Sequence, residues 1–212
     1  MGRDIKAKCK QCRRVGTKLF LKGDRCSTSK CAIVKRNYIP GMHGTKIGKA
    51  GTRLTGYGIQ LQEKQKAKKT YRILEKQFSN YFKKAINTKG DTAEVLYRFL
   101  ELRVDNVVFR GGFASSRDKA RQIVNHGLLF VNGKKVNIPS YQVRLKDKIT
   151  IKKEAQAKKI FEGLSESLQG KEVAEWLLVD PKELAITVID LPSLKKTKPN
   201  FDLKAIIEFY SR

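Results

Sequence analysis

No run of apolar residues in this chain approaches the roughly 20 that a bilayer-spanning helix needs. Its opening residues, MGRDIKAKCK, also lack the apolar h-region of a secretory signal, so a cytosolic protein is expected. Acidic residues are scarce: 20 Asp+Glu stand against 46 Lys+Arg, for a net charge of +26 and a pI near 10.1. That excess repels itself in a compact fold, and a polyanionic partner is the physical reason to keep it. A membrane surface is the weaker candidate, because the aromatic-rich amphipathic helix it would need is missing. Nucleic acid fits best, since phosphates release counterions as Lys and Arg replace them. Histidine is limited to His43 and His126, which leaves little for acid–base chemistry. With 212 residues, 40% of them hydrophobic, the chain can fold as one large domain or two small ones.

Cysteine is absent after position 31, yet four occur before it, in CKQCRRVGTKLFLKGDRCSTSKC. Disulfides are rare in the cytosol. Cys9 and Cys12, then Cys26 and Cys31, form a C-x2-C and a C-x4-C pair that can converge on one tetrahedral zinc. A short strand over Lys18 to Leu21 and a turn at Lys22-Gly23-Asp24 would fold the second pair back as a hairpin. An iron–sulfur cluster takes the same four thiolates and is the alternative. A redox C-x-x-C opening a helix after a strand is not the expected pattern here. His43, in the turn-rich Pro40-Gly41-Met42-His43-Gly44, reads as a loop residue before a metal ligand.

From about Tyr57 the periodicity becomes helical, with Leu61, Ala67, Tyr71, Leu74, Phe78, Phe82 and Ala85 on one stripe. One long helix over Gln60 to Thr88 or two with a bend both fit. The lysines off that stripe make either a solvated face or an RNA-facing one. Asp91 and Glu94 then mark a helix start, and its apolar positions run toward Gly111-Gly112. Ser115 or Ser116 caps the next helix, which Gly127 ends. Asn132-Gly133 signals a hairpin after Leu128 to Val131. Tyr141, Val143 and Leu145 alternate as a strand should, Ile149 to Ile151 follows, and Lys153 to Leu168 reads as a helix. A core does not account for Arg103, Arg110, Arg117, Lys119, Arg121, Lys134 and Lys135, which cluster at helix ends and a hairpin and suit phosphate.

These residues resemble a known family. R-x-D-N-V-V-F-R, S-R-x-x-A-R-Q-x-V-x-H-G and V-N-G-K-x-V-x-x-P-S-Y, between Glu101 and Ile151, resemble the small RNA-binding domain named after bacterial small ribosomal subunit protein four. That domain also occurs in RNA-modifying enzymes. The flanks, MGR, K-L-F-L-K-G-x-R-C, P-G-x-H-G, E-K-Q-K and the terminal E-F-Y-S-R, resemble the ribosomal protein family itself, in its zinc-carrying branch.

The resemblance implies an α+β fold: a zinc-bound arm over 1–45, a helical domain over 46–100 completed by 160–212, and an inserted S-four-type domain of two helices plus a small β-sheet over 101–159. Trp176, Leu177, Leu178 and Ile206 to Tyr210 would return to pack on the first domain. It implies a cytoplasmic ribosomal component that binds the 5′ domain of small-subunit ribosomal RNA early in assembly. It further implies contact with ribosomal protein five of that subunit, a place beside the messenger entry path, a role in decoding accuracy and, in some members, binding to the messenger of their own operon. The residues expected to meet RNA are Arg3, Arg13, Arg14, Lys22, Arg36, Lys64, Lys68, Lys69, Arg72, Arg103, Arg110, Ser116, Arg117, Lys119, Arg121, Gln122, Asn132 and Lys134. Arg117 and Arg121 are expected to serve binding without being needed for folding. Asp105 is expected to orient Arg103 or cap a backbone group. The rival reading, an RNA-modifying enzyme that docks through the small domain, lacks room for a catalytic domain and free acid–base groups.

Overall fold

The structure, a computed structural model, describes residues 6–44, 54–158, 160–170 and 173–212. It divides into two compact units, Met1–Val95 with Pro199–Arg212, and Leu96–Lys198.

The first unit opens with α1 (Lys8–Val15), which buries Gln11, Cys12 and Val15 and stops at Gly16, φ +77°, whose N–H donates to the Cys12 carbonyl. The expected hairpin does not form. Cys9 and Cys12 ride on a helix, and no strand spans Lys18 to Leu21. Phe20 instead takes φ +50° and stays exposed. Leu19 and Leu21 turn inward against Cys12 and Val15, with Ile33 of α2 (Ala32–Lys35) beside them. Those side chains gain more by closing this small apolar cluster than by exposing an unpaired two-stranded ribbon. A 3-10 turn, Gly23–Cys26, then delivers Cys26.

Of the two arrangements expected, the pair of helices forms, α3 (Gly56–Thr70) and α4 (Glu75–Ile86), because Arg72 at φ +56° breaks the chain between them. Thr55 caps α3 by accepting the Gly58 N–H. The expected stripe is largely inward: Ala67, Tyr71, Phe78, Phe82 and Ala85 are buried, while Leu74 is exposed at the head of α4. Their cover comes from the other end of the chain. The last helix, Leu203–Tyr210, lies along α3, with Tyr210 stacked on Phe82 at 4.7 Å and on Phe78 at 6.0 Å.

The second unit begins within α5 (Thr92–Glu101), whose start Asp91 caps through the Ala93 N–H. The helix ends at Leu102–Arg103, where a bridge to Gln142 and bonds from Val143 N–H to Leu102 and from Val104 N–H to Tyr141 take over the backbone. α6 (Val104–Arg110) and α7 (Arg117–Asn125) come next, with Ser116 as the cap of α7. β1 (Leu129–Val131) and β2 (Lys134–Val136) meet at Asn132-Gly133, both at positive φ, as a tight hairpin requires. β3 (Lys148–Ile151), single turns α8 (Lys153–Gln156) and α9 (Leu164–Leu168), β4 (Leu177–Asp180) and β5 (Ala185–Val188) follow. The last helix is therefore α10. The sheet is antiparallel throughout, in the order β2-β1-β3-β5-β4.

Three expectations are corrected here. Tyr141 to Leu145 makes one isolated bridge and no strand: Val143 is buried, but Tyr141 and Leu145 are exposed. Lys153 to Leu168 is two short turns, parted where Gly163 takes φ +66°. Residues 160–198 do not return to the first domain, because β5 pairs with β3 and Trp176, 1% exposed, enters the core with Val104, Ile123, Leu129, Ile149 and Ile186. The open edge of β3 needed backbone partners, and this segment supplies them. Only the tail from Pro199 joins the first unit.

Candidate nucleic-acid interface and thiol site

In the first unit the expected RNA-binding residues fall into two groups. Arg14, Lys22 and Arg36 are exposed, and Arg13 lies over the Tyr38 ring at 4.5 Å while its Nε donates to the Tyr38 carbonyl at 3.0 Å. Lys69 is half-buried. Lys64 and Arg72 are corrections, at 6% and 5% exposure. Lys64 donates to Glu75 Oε1 at 2.8 Å and sits 4.2 Å over the Phe209 ring. Arg72 Nη1 donates to Gln11 Oε1 at 3.2 Å. Lys68 donates to the other Glu75 oxygen at 2.9 Å, and the Tyr210 hydroxyl donates to Oε1 at 2.7 Å. Partial burial alone would raise the Glu75 carboxyl. The bonds from Lys64, Tyr210 and Lys68 override it and hold the pKa at about 2. Glu75 therefore fastens α10 to α3 and α4. Arg3 lies outside the described residues.

In the second unit the dense motif sorts the same way. Arg103 is fully buried and forms a two-pronged pair with Asp105, Nε–Oδ1 3.0 Å and Nη2–Oδ2 2.6 Å. Arg121 is 3% exposed, with Nη1 3.9 Å from the same Asp105 Oδ2. Both are expected at the surface; both lie buried beside Asp105 instead. Ser116 is buried, its hydroxyl taken by the Lys119 N–H. Asn132 serves its own turn through Asp147 Oδ1 at 2.8 Å and the Lys148 N–H at 2.9 Å. Gln122 and Lys134 are exposed, and Lys119, Arg110 and Arg117 half-buried.

Two residues that the sequence reading passed over hold this surface. Glu101, fully buried, accepts from Arg110 Nε and Nη2, both at 2.9 Å. Asn106, 1% exposed, donates to Glu101 and accepts from Arg117 Nε at 2.8 Å. The signal available was Glu101 itself: an acid falling beside Leu100 and Val104, on the apolar side of its helix.

All four cysteines line one cavity, with Lys8, Leu21, Lys22, Arg25, Ala32 and Ile33. None is in a disulfide. Burial raises the Cys12 thiol, and the neighbouring Cys26, Cys9 and Cys31 add to the effect. The Lys22 N–H points at Cys26 Sγ from 3.3 Å. Among the described residues no three Cys, His, Asp or Glu side chains are drawn into a formed metal cluster. The donor types nonetheless suit a tetrathiolate ion: four cysteines line one cavity, a backbone N–H is aimed at one of the sulfurs, and Lys8, Lys22 and Arg25 line the same cavity with positive charge. His43 is exposed and not among the lining residues.

Among the described residues no helix is long and apolar enough to cross a membrane. The profile described as Ribosomal protein S4/S9 N-terminal domain matches residues 3–101, and that of the S4 domain matches residues 102–149. The chain belongs to the small ribosomal subunit protein uS4 family. It is 48% identical to "Small ribosomal subunit protein uS4" of Koribacter versatilis over 212 residues, all of both chains. It is 47% identical to the protein of that name from Thermotoga maritima over 205 residues, 96% of each, and 44% identical to that of Nitrosospira multiformis over 212 residues, all of both. The uS4 relatives are named as ribosomal proteins and none of these as an enzyme, which sets the RNA-modifying reading aside.

Proposed function

We propose that this uS4 protein is a primary binder of the 5′ domain of small-subunit ribosomal RNA, acting early in assembly within the cytoplasmic ribosome. The observation that carries the reading is similarity along the whole chain to proteins named for the small subunit, joined to a net charge of +26. Each unit contributes its own cations, the exposed Arg14, Lys22 and Arg36 in one, and the exposed Lys134 with the half-buried Lys119 and Arg117 in the other. They would grip phosphates and read RNA shape, since the deep A-form major groove hides base edges.

Charge also suggests where protein would meet protein. Residues 160–190 hold seven Asp or Glu and two Lys, a net of −5 in a chain of +26. That segment carries the exposed Leu178 and Ile189. Such a surface repels RNA and suits a basic neighbour, which we assign to ribosomal protein five, with decoding accuracy and the messenger entry path as the setting. Binding to the messenger of its own operon would use the RNA-binding surface. One zinc ion, held by Cys9, Cys12, Cys26 and Cys31, would crosslink the arm and do no chemistry; an iron–sulfur cluster is the alternative occupant.

Competition binding tests the reading: a 5′-domain ribosomal RNA fragment against an unrelated structured RNA of equal length, at two salt concentrations. A preference of about a hundredfold that survives the higher salt is expected. If about eight phosphates are neutralised, affinity drops about three to five decades between low and moderate salt. Equal affinities that collapse together would leave only a generic basic protein.

A further inference from the structure

We propose that Glu101 and Asn106 are positioning residues that set Arg110 and Arg117 as a fixed pair for RNA phosphates. The proposal rests on the RNA-binding reading above. Four side chains form one chain of bonds across α5, α6 and the start of α7. Glu101 takes Arg110 through both carboxylate oxygens, Nε and Nη2 each at 2.9 Å. Asn106 Nδ2 donates to Glu101 Oε2 at 2.8 Å and to the Glu101 carbonyl at 2.9 Å. Asn106 Oδ1 accepts from Arg117 Nε at 2.8 Å, and the Arg117 guanidinium lies 4.5 Å over the Phe109 ring. The two holders are buried, at 0% and 1% exposure, whereas 28% of the Arg110 side chain reaches solvent and Arg117 is half-buried.

A carboxylate here is costly twice over. It is desolvated, and it cancels a positive charge on a surface whose task is to attract a polyanion. A binder that worked by charge alone would be better without it. What Glu101 supplies is geometry. Held through Nε, each arginine gives up its rotamer freedom before RNA arrives, so less is lost on binding. The planar guanidinium is the group for which such fixing matters, because two-pronged phosphate contact depends on its orientation. Asn106 links the two holds, so the pair keeps a set spacing.

The sign of one substitution separates the alternatives. Glu101→Gln raises the net charge by one. Charge alone predicts tighter binding to every RNA; a merely structural role predicts equal proportional losses on all RNAs with a lower unfolding temperature. Positioning predicts at least a tenfold loss on the 5′-domain fragment, with unrelated structured RNA bound as well as before or better. Affinity for both RNAs is measured beside thermal unfolding. Should Glu101→Gln fail to fold, Arg117→Lys keeps the charge at a half-buried site. A loss within threefold of that from Arg117→Ala supports positioning, and wild-type affinity overturns it. Wild-type protein with no preference between the RNAs would sink the ribosomal RNA reading and this proposal with it. A preferring wild type whose Glu101→Gln variant binds both RNAs more tightly overturns positioning alone.

Discussion

Replacing Asp105 by Ala should damage the second unit more than any single loss of a surface cation. Asp105 lies within 4 Å of two buried guanidiniums, paired to Arg103 at 2.6 Å and 3.9 Å from Arg121. The side chains concerned are 5%, 0% and 4% exposed, so water cannot replace what is removed. Breaking a buried pair from one side costs about 3–5 kcal/mol, and two cations losing a shared anion put this case toward the upper end. Total stability is only about 5–15 kcal/mol. For a unit of about a hundred residues the loss corresponds to a fall in unfolding temperature on the order of 15–25 °C. Arg103→Met, similar in volume, leaves Asp105 with Arg121 and should cost roughly half as much. Calorimetry of the two variants provides the comparison. Equal shifts, or a larger one for Arg103→Met, would refute the view that Asp105 is the shared anion of this cluster.

Glu75 gives a pH prediction. Its folded pKa of about 2 lies below the ordinary 4.5, so its contribution is present above pH 4.5 and disappears as pH falls through 2. Its side chain is 45% exposed, so screening keeps the effect modest. Amide exchange in α10 should rise over that window, and Glu75→Gln should raise it already at neutral pH and flatten the pH dependence. Gly111 has an ordinary φ of −75°, but a Cβ there would stand 2.5 Å from Ile186 Cδ1. Gly111→Ala should therefore cost about 1–3 kcal/mol by overpacking α6 on β5, read as a lower denaturation midpoint. On the zinc reading, Cys12→Ser should drop bound metal from one per chain to none and speed amide exchange in α1, with the unfolding of Leu96–Lys198 unchanged. A metal content unaltered by the substitution would count against the four-thiolate assignment.

Much of the fold was legible because its signals are local. Asp91 and Ser116 each cap a helix by a bond within three residues, and Asn132-Gly133 needs nothing beyond its own backbone to turn. Elements that depend on distant partners were not legible. β4 and β5 exist because β3 had an open edge, and Trp176 is buried because that sheet extends; neither fact is written within residues 160–198. The arm failed for a related reason: Leu19 and Leu21 alternate like a strand, but the apolar face they meet belongs to α1. The site was half legible. Residue type places a cation in a cluster, whereas burial decides whether it meets RNA or Asp105.

That division gives a last prediction, because an alanine scan of the motif would confuse the two groups of cations. Arg121→Ala and Lys134→Ala should both weaken RNA binding, one by removing a buried guanidinium and the other an exposed ammonium. Losing folded protein lowers apparent affinity without changing how the remaining folded molecules meet phosphate. Losing a phosphate contact removes one released counterion. The slope of log affinity against log salt should therefore shrink by about 1 for Lys134→Ala and stay as in the wild type for Arg121→Ala. Thermal unfolding should move the other way round, dropping for Arg121→Ala and holding for Lys134→Ala. A shrunken slope with unchanged unfolding in Arg121→Ala would mean that its guanidinium leaves Asp105 to reach RNA, and the burial argument for this motif would fail.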